Sequence, residues 1–183
     1  VRTGKTPPPS PFRIEPDKTP NSRGASDILG VKDMQGIIDG IGSGQIKGLY
    51  MLGGDIGMTL SDKEKEALGK LECLVVQDVY QSEIVALAHV VLPGSIPFEK
   101  EGTMTNVQGR VQRLAQAFPP PGGARLDGDI IRYVGQKLKA DMGPGSTVDL
   151  FDEIAEKIEM YKGLSYSTIG ENGALTGGEE PSE

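Results

Sequence analysis

Two polar turns that follow apolar runs are the places where this chain could bind a ligand. Gly53-Gly54-Asp55 follows the run at residues 46–52, and Gln77-Asp78 follows the run at residues 73–76. Backbone N–H groups of a glycine-rich turn can contact a phosphate, and parallel α/β sheets bind ligands at the carboxyl ends of their strands. The glycine spacing is not that of the GxGxxG motif, so on its own it favours an ordinary turn.

The side chains most often used in catalysis or metal binding are few and scattered. Cys73, the single cysteine, lies in an apolar run, where we expect a small buried hydrophobic residue. His89, the single histidine, stands at a helix–strand junction with no cysteine or second histidine to share a metal. Glu99 and Glu101 flank Lys100 in a loop, a pattern typical of the protein surface. We therefore predict no catalytic residue and no metal site in this chain.

The elements that must position the two turns are predicted by short apolar runs. Three such runs lie at residues 46–52, 73–76 and 89–92. They lack the alternation of a half-exposed strand, which predicts parallel strands buried on both faces. Helices are predicted at residues 31–41, 61–70 and 83–88, the second opening with a capping box at Ser61 and Glu64. The predicted fold class is α/β: a Rossmann-like parallel sheet with helices on both faces, plus a β-hairpin.

The hairpin and two further helices follow the parallel strands in the sequence. The hairpin joins residues 102–106 to residues 110–114 through Val107-Gln108-Gly109. A helix begins at Asp127 or Asp129, and its predicted apolar stripe is Ile130, Ile131, Val134 and Leu138. The last helix spans residues 148–161, and its core stripe is Phe151, Ile154, Ala155, Ile158 and Tyr161.

Composition divides the chain into three regions. We predict a proline-rich linker at residues 1–30, the α/β domain at residues 31–162 and a flexible acidic tail at residues 163–183. Residues 149–183 carry 2 basic and 9 acidic residues, which accounts for the whole net charge of −7. The chain has no basic face for nucleic acid and no run of the roughly 18 apolar residues that span a membrane. We expect neither nucleic-acid binding nor direct membrane insertion.

A set of motifs spread over residues 21–175 resembles the later α/β domain of the molybdopterin oxidoreductase superfamily. The stretch that begins at Leu74 reads LVVQDVYQSE and continues through AHVVLPG to EKEGTMTNVQGRVQR. The segments NSRGASD, QIKGLYMLG, PPGGAR and YKGLSY resemble the family's segments at the corresponding places. The combination is specific, whereas no single segment would be.

The resemblance implies a set of cofactor-contacting positions. In members that hold molybdopterin guanine dinucleotide, this domain binds the guanosine end of the cofactor. The matching residues here are Gly53, Gly54, Asp55, Gln77, Asp78, Ser82 and Glu83. The family's first turn commonly reads G-x-N-P and its helix start T-E-T, whereas this chain has Gly-Gly-Asp-Ile and Gln-Ser-Glu, and His89 replaces a usual Asp. These departures remove neutral donors and add carboxylates, so the positions are expected to be vestigial and GDP to bind too weakly to detect.

Among the members of the superfamily, the C-terminal α/β domain of the large iron–sulfur subunit of NADH–quinone oxidoreductase (respiratory complex I) matches best, since Gln108-Gly109-Arg110 resembles its turn. That resemblance implies a structural domain with no cofactor of its own, and iron–sulfur clusters in an N-terminal part of the parent polypeptide. Its partners would be the other domains of that polypeptide and the other subunits of a respiratory complex, cytoplasmic and peripheral to the inner membrane. The alternative is a molybdopterin guanine dinucleotide-binding domain of a formate dehydrogenase-like molybdoenzyme.

Overall fold

The computed structural model describes residues 21–30, 34–53, 61–143 and 145–177. Its α-helices are α1 (Ser22–Leu29), α2 (Met34–Gly42), α3 (Asp62–Leu68), α4 (Glu83–Leu87), α5 (Asp127–Lys137), α6 (Thr147–Lys157) and α7 (Tyr166–Ile169). Its strands are β1 (Gly48–Leu52), β2 (Cys73–Asp78), β3 (Val90–Pro93), β4 (Gly102–Thr105), β5 (Arg110–Leu114) and β6 (Ala174–Leu175). Short 3₁₀ helices lie at Pro97–Glu99 and Glu159–Tyr161.

The chain divides into two compact units. The parallel-sheet unit comprises residues 32–100 and 116–142, and the antiparallel-sheet unit comprises residues 1–31, 101–115 and 143–183. Within the described residues, the sheet of the first unit has the strand order β1–β2–β3 and the sheet of the second has the order β4–β5–β6. The α/β fold class is confirmed. Nowhere in the described ranges does a helix have the length and apolar character needed to cross a membrane.

In the parallel-sheet unit, β2 pairs in parallel with β1 on one side and with β3 on the other. Leu74 and Val76 of this central strand are completely buried. The prediction of burial on both faces is wrong for the two edge strands. Exposed apolar side chains lie on β1 at Tyr50 and Leu52 and on β3 at Val90 and Val91. An apolar run therefore predicts a strand correctly, but burial also requires another layer to cover it.

The core of the parallel-sheet unit is formed by side chains from the central strand and from three helices. Its buried members are Ile38, Ile41, Ala67, Leu68, Leu71, Leu74, Val76 and Ile84. The predicted capping box at the start of α3 is confirmed. Ser61 Oγ accepts from Glu64 N at 3.3 Å, and Glu64 Oε2 accepts from Ser61 N at 2.7 Å. The Glu64 carboxylate accepts hydrogen bonds from the Ser61 hydroxyl and from Ser61 N, and these two bonds lower the pKa of the Glu64 carboxyl.

In the antiparallel-sheet unit, the predicted hairpin is confirmed as β4 and β5, and β6 pairs with the other edge of β5. The core is formed by Val111, Phe151, Ala155, Tyr161 and Ile169. Three of these belong to the stripe predicted for the last helix. Tyr161 Oη shares a hydrogen bond of 2.8 Å with Thr105 Oγ1, and both residues are buried. Burial raises the pKa of the Tyr161 hydroxyl.

Two segments have more regular structure than their composition predicts. Residues 21–27, a turn-rich stretch by composition, contain most of α1, and Asn21 Oδ1 accepts from Thr105 N at 2.8 Å. Residues 163–177, predicted to be loose, form α7 and β6, and Ile169 is 2% exposed. Ala174 and Leu175 form β6 because they pair with β5. The glycine-rich sequence around them has a low strand propensity and does not predict this pairing. The rest of the predicted tail and the first 20 residues of the predicted linker lie outside the described residues.

Local predictions of burial and capping are wrong at four positions. Cys73 is exposed because it is the first residue of β2. Leu138 is 75% exposed at the C-cap of α5, beyond the helix residues that face the core. The N-cap of α5 is Leu126, so Asp127 is the first residue of the helix. Glu99 is 7% exposed because its carboxylate accepts from Ile96 N at 3.0 Å within the loop.

Candidate functional site

The carboxyl ends of β1, β2 and β3 meet at one edge of the parallel sheet. Asp78 lies opposite Pro93 in the pairing of β2 with β3. Gly53 N donates to Gln77 O at 2.8 Å and Gly94 N donates to Asp78 O at 3.0 Å, so the pairing continues one residue past each edge strand. The φ angle of Gly53 is +68°, in the left-handed region that favours glycine. Gly53, the first residue of one predicted turn, is therefore adjacent to the Gln77-Asp78 turn.

A cavity of about 520 Å³ opens at this edge of the sheet. Small-molecule sites in proteins usually measure roughly 300–1,000 Å³, so the cavity is large enough for a ligand such as a nucleoside. It is lined by Leu52, Gly53, Gln77, Asp78, Val79, Tyr80, Ser95, Ile96, Pro97, Phe98, Lys100 and Asp127. These residues belong to the ends of β1 and β2, the loop after β3 and the start of α5.

A chain of hydrogen bonds connects the segments that line the cavity. Tyr50 Oη donates to Gln77 Oε1, and Gln77 Nε2 donates to Asp127 Oδ1 at 2.7 Å. Asp127 Oδ2 forms an ion pair with Lys100 Nζ, which also donates to Ser95 O at 3.0 Å. Gln77 is 1% exposed, and the oxygen and the nitrogen of its side-chain amide both have partners in this series of hydrogen bonds. The Gln77 amide therefore positions Asp127, and it is not placed to form hydrogen bonds with a ligand.

The electrostatics of this chain of bonds follow from its two ionised members. Partial desolvation, and then the charge of Asp127, raises the pKa of the Tyr50 hydroxyl, so Tyr50 remains a proton donor at neutral pH. The Lys100 ammonium offsets the Asp127 carboxylate. With Asp78 included, the charged side chains of the described lining are two carboxylates and one ammonium. The cavity has a slight excess of negative charge, which suits a ligand end rich in N–H and O–H donors.

The side chain of Asp78 is held at the carboxyl end of β2 by the backbone N–H groups of the next two residues. Asp78 is 8% exposed, and Oδ1 accepts from Val79 N at 2.6 Å and from Tyr80 N at 3.4 Å. These contacts hold the carboxylate against the turn, so its position does not depend on a ligand. A fixed, ionised carboxylate is a strong acceptor for amide, amine or hydroxyl donors.

The structure brings together some of the residues predicted from the sequence. Gly53, Gln77 and Asp78 all line the cavity. Ser82 and Glu83 are absent from the described lining. Gly54 and Asp55, although predicted as cofactor-contacting, lie outside the described residues.

Ser82 and Glu83 have structural partners instead. Ser82 Oγ accepts from Val85 N at 3.5 Å and thereby caps the short helix α4. Glu83 forms an ion pair with Lys65 at 3.2 Å. A serine followed by a glutamate at the start of a helix is also the usual N-terminal capping pattern, and this interpretation accounts for both residues.

Sequence reasoning misses Lys100, Asp127, Tyr80 and Phe98 as lining residues. The sequence pattern groups Lys100 only with its flanking glutamates, and it marks Asp127 only as a helix cap. The one available signal is the Pro-Gly pair at residues 93–94, which ends β3 and directs the next residues along the carboxyl edge of the sheet. The position of Asp127 has no local signal.

The described residues contain no group of three or more His, Cys, Asp or Glu side chains that could hold a metal ion. His89 Nδ1 accepts from Leu74 N at 2.9 Å, which gives the imidazole a structural role beside β2. Among the described lining residues, the Asp78 carboxylate and the rings of Tyr80 and Phe98 are groups that a ligand could contact.

Comparison with known protein families identifies the family to which the chain belongs. The family model for molybdopterin oxidoreductases matches residues 18–137. The chain belongs to the molybdopterin oxidoreductase family. The matched residues include β1, β2, β3 and the whole lining of the cavity. The family assignment and the position of the cavity at the strand ends are thus carried by the same part of the chain.

Two curated relatives show how much of a larger protein this domain represents. The chain is 40% identical over 144 residues to the NADPH-Fe(3+) oxidoreductase subunit alpha of Geobacter sulfurreducens, covering 78% of the chain and 16% of that protein. It is 38% identical over 140 residues to a formate dehydrogenase-like protein of Staphylococcus aureus, covering 75% of the chain and 14% of that protein. The chain therefore spans about a sixth of the length of the curated relatives it matches.

A solved structure supports the fold. The acetylene hydratase of Pelobacter acetylenicus superposes with a TM-score of 0.58 at 16% sequence identity. The superposition covers 80% of this chain and 22% of the hydratase. At this identity the likeness extends to the fold alone.

Proposed function

We propose that this chain is the domain of a formate dehydrogenase-like molybdoenzyme that binds the guanosine end of molybdopterin guanine dinucleotide. The observation that carries the proposal is the cavity at the carboxyl ends of the parallel strands, with Asp78 fixed in its lining. Open parallel sheets bind nucleotides at this edge. The similarity to a formate dehydrogenase-like protein and to an NADPH-Fe(3+) oxidoreductase subunit favours this role over that of a cofactor-free subunit of NADH–quinone oxidoreductase.

The residues present fit the nucleoside end of the cofactor. Guanine offers N–H donors on one edge and the ribose offers hydroxyl donors, and Asp78 supplies a fixed acceptor for either. Lys100 is committed to Asp127 and Ser95, so it is not placed to meet a phosphate without breaking that ion pair. When bound, the cofactor supplies the redox chemistry, while the residues of this chain bind and orient its nucleoside.

The expectation that GDP binds too weakly to detect loses one of its supports. It rests on the loss of neutral donors at the turns and on the carboxylates of Asp55 and Glu83 repelling a phosphate. Glu83 forms an ion pair with Lys65 and is absent from the described lining of the cavity. The Lys65 ammonium therefore offsets the negative charge that would repel a phosphate. Asp55 lies outside the described residues. Because the cavity lies at the strand ends and Asp78 is fixed in its lining, we propose the opposite outcome, that GDP binds measurably.

The partners proposed for this domain follow from the size of the relatives it matches. Since the chain spans 16% of the length of the Geobacter relative, we propose that it works as one domain of a larger polypeptide, in contact with the domains that complete the cofactor site. Assembly with other electron-transfer subunits and a cytoplasmic location, peripheral to the inner membrane, belong to the same proposal.

Titration of isotope-labelled chain with GDP, followed by backbone NMR, tests the proposal. Saturable shifts at Gly53, Asp78 and Ser95 are the expected result. The matched variant is Asp78→Asn, which keeps the side-chain oxygen that accepts from Val79 N and loses the charge; it should bind GDP more weakly. If the wild-type spectrum does not move at millimolar GDP, the chain is better described as a cofactor-free structural domain.

A further inference from the structure

Two exposed aromatic side chains lie in the lining of the cavity. Tyr80 is 53% exposed and Phe98 is 65% exposed. They come from different segments: Tyr80 follows β2, and Phe98 lies in the 3₁₀ helix Pro97–Glu99 after β3. Large aromatic surface left in water is unfavourable, and burying apolar surface gains about 25 cal/mol for each Å² removed from water. Both rings therefore offer surface that a ligand in the cavity could cover.

Hydrogen bonds hold the backbone at Phe98 and at the next residue, Glu99. Phe98 O accepts from Ala117 N at 2.8 Å, and Glu99 O accepts from Gln116 Nε2 at 2.8 Å. The buried Glu99 carboxylate also accepts from Ile96 N at 3.0 Å, which closes the 3₁₀ helix. The ring thus projects from a segment fixed by hydrogen bonds, and not from a loose loop.

The backbone at Tyr80 is held in the same way. Tyr80 N donates to Asp78 Oδ1 at 3.4 Å, and Tyr80 O accepts from Ser82 N at 3.1 Å. The Asp78 carboxylate, which we propose to accept hydrogen bonds from the nucleoside, therefore belongs to the same turn as Tyr80. A side chain on a fixed backbone loses less conformational freedom when a ligand covers it, so its contact contributes more to affinity.

We infer that Tyr80 and Phe98 are stacking platforms for the purine base of the bound nucleotide. The inference rests on the proposed function and adds to it the residues that supply most of the base affinity. Stacking a base on an aromatic side chain contributes about 1–3 kcal/mol and is tolerant of base identity. The aromatic rings then hold the base by its faces, and the choice of guanine falls to acceptors at its edge, such as Asp78.

The chain contains no tryptophan, which allows a direct test. Phe98→Trp introduces a single indole that retains a stacking surface, and GDP should quench its fluorescence in a saturable way. Phe98→Ala and Tyr80→Ala should each weaken GDP binding by about 5- to 150-fold, the change that corresponds to losing one stacked ring. Tyr133→Ala is the matched control, since Tyr133 is 61% exposed but does not line the cavity; it should leave the GDP affinity unchanged.

Ribose 5-phosphate, which lacks a base, separates stacking from damage to the site. Its weaker binding should be the same in wild type, Phe98→Ala and Tyr80→Ala. Equal GDP affinity in wild type and in both alanine variants would overturn the stacking inference and leave the proposed function standing. Loss of ribose 5-phosphate binding in step with GDP would also overturn it, because the rings would then act by shaping the loop. If GDP does not bind wild type, the proposed function and this inference both fail.

Discussion

Gln77 Nε2 donates to Asp127 Oδ1 at 2.7 Å although the two residues are 50 positions apart in the sequence. The bond ties the end of the central strand β2 to the first residue of α5. Lys100 extends the tie to the loop after β3 through its ion pair with Asp127. Because hydrogen bonds in such a chain position one another, loss of one member should disturb the others.

Lys100→Met should destabilise the domain. The side chains of Lys100 and Asp127 are 28% and 20% exposed, so removing the ammonium leaves a largely buried carboxylate without its charge partner. We expect a loss of about 1.5–3 kcal/mol in the free energy of unfolding, the range for hydrogen bonds to charged groups. Urea denaturation followed by circular dichroism measures it.

Lys70→Met is the control for this prediction. Lys70 pairs with Glu66 one helical turn away, and the side chains are 51% and 72% exposed. Exposed pairs of this kind contribute about 0–1 kcal/mol, so this variant should unfold close to the wild-type midpoint. Equal losses for the two lysine variants would show that the ion pair at the cavity has no special weight.

Gly94→Ala should displace the Asp127 carboxylate. A Cβ atom at Gly94 would lie 2.5 Å from Asp127 Oδ1, closer than real contacts allow. We expect a loss of about 1–3 kcal/mol in stability from this overpacking. Gly128→Ala in α5 is the matched control, because a Cβ there meets nothing within 4 Å and alanine favours the helix, so its stability should be unchanged or higher. Thermal unfolding of both variants decides the matter, and a Gly94→Ala protein as stable as wild type would refute the close approach.

The main elements of the fold can be predicted from the sequence because their signals are local. The apolar run at residues 73–76 lies within β2, and Ser61 with Glu64 marks the start of α3. Burial cannot be predicted as well. Val90 and Val91 have the residue types of a covered strand and are nevertheless exposed, since β3 is an edge strand among the described residues.

The candidate site can be predicted only in part. Asp78 can be found because the end of a buried strand is a known location for ligands. Asp127 escapes prediction because its bond to Gln77 spans 50 residues and leaves no pattern in either segment. Phe98 escapes it because an exposed phenylalanine in a loop has no sequence signature, and its relevance depends on the backbone contacts that fix the loop.

Ser61→Ala should weaken the start of α3. It removes the oxygen that accepts from Glu64 N and the partner of the Glu64 carboxylate. Loss of an N-cap serine costs about 0.5–2 kcal/mol of stability. The pKa of Glu64, held below its ordinary value by Ser61, should rise in the variant. Carboxyl carbon NMR titration of Glu64 in both proteins measures this change, and an unchanged pKa would contradict the capping interaction.

The pH dependence of this cap has a definite sign. Because the pKa of Glu64 is lower in the folded state, its contribution is fully present above the ordinary value of 4.5 and is lost as the pH falls through the folded-state value. Wild type should therefore lose stability in acid more steeply than Glu64→Gln, which cannot titrate at this position. Parallel slopes for the two proteins below pH 4.5 would count against the assignment.

Thr105→Val should destabilise the antiparallel-sheet unit by leaving the Tyr161 hydroxyl without its partner. Thr105 is 3% exposed and Tyr161 is 1% exposed, so water cannot easily replace the bond of 2.8 Å between them. An unsatisfied buried polar group costs about 1–3 kcal/mol. The loss should be visible in urea unfolding at neutral pH.

The double variant Thr105→Val with Tyr161→Phe shows whether the hydrogen bond or the packing is responsible. Replacing both partners by apolar groups of similar shape removes the unsatisfied hydroxyl, so the double variant should recover much of the stability lost by Thr105→Val alone. The burial that raises the pKa of Tyr161 also favours the neutral hydroxyl in the folded state. Wild type should therefore lose stability as the pH rises above about 10, the ordinary value for tyrosine, and more steeply than Tyr161→Phe. Additive losses in the double variant would mean that the two hydroxyl groups do not depend on each other.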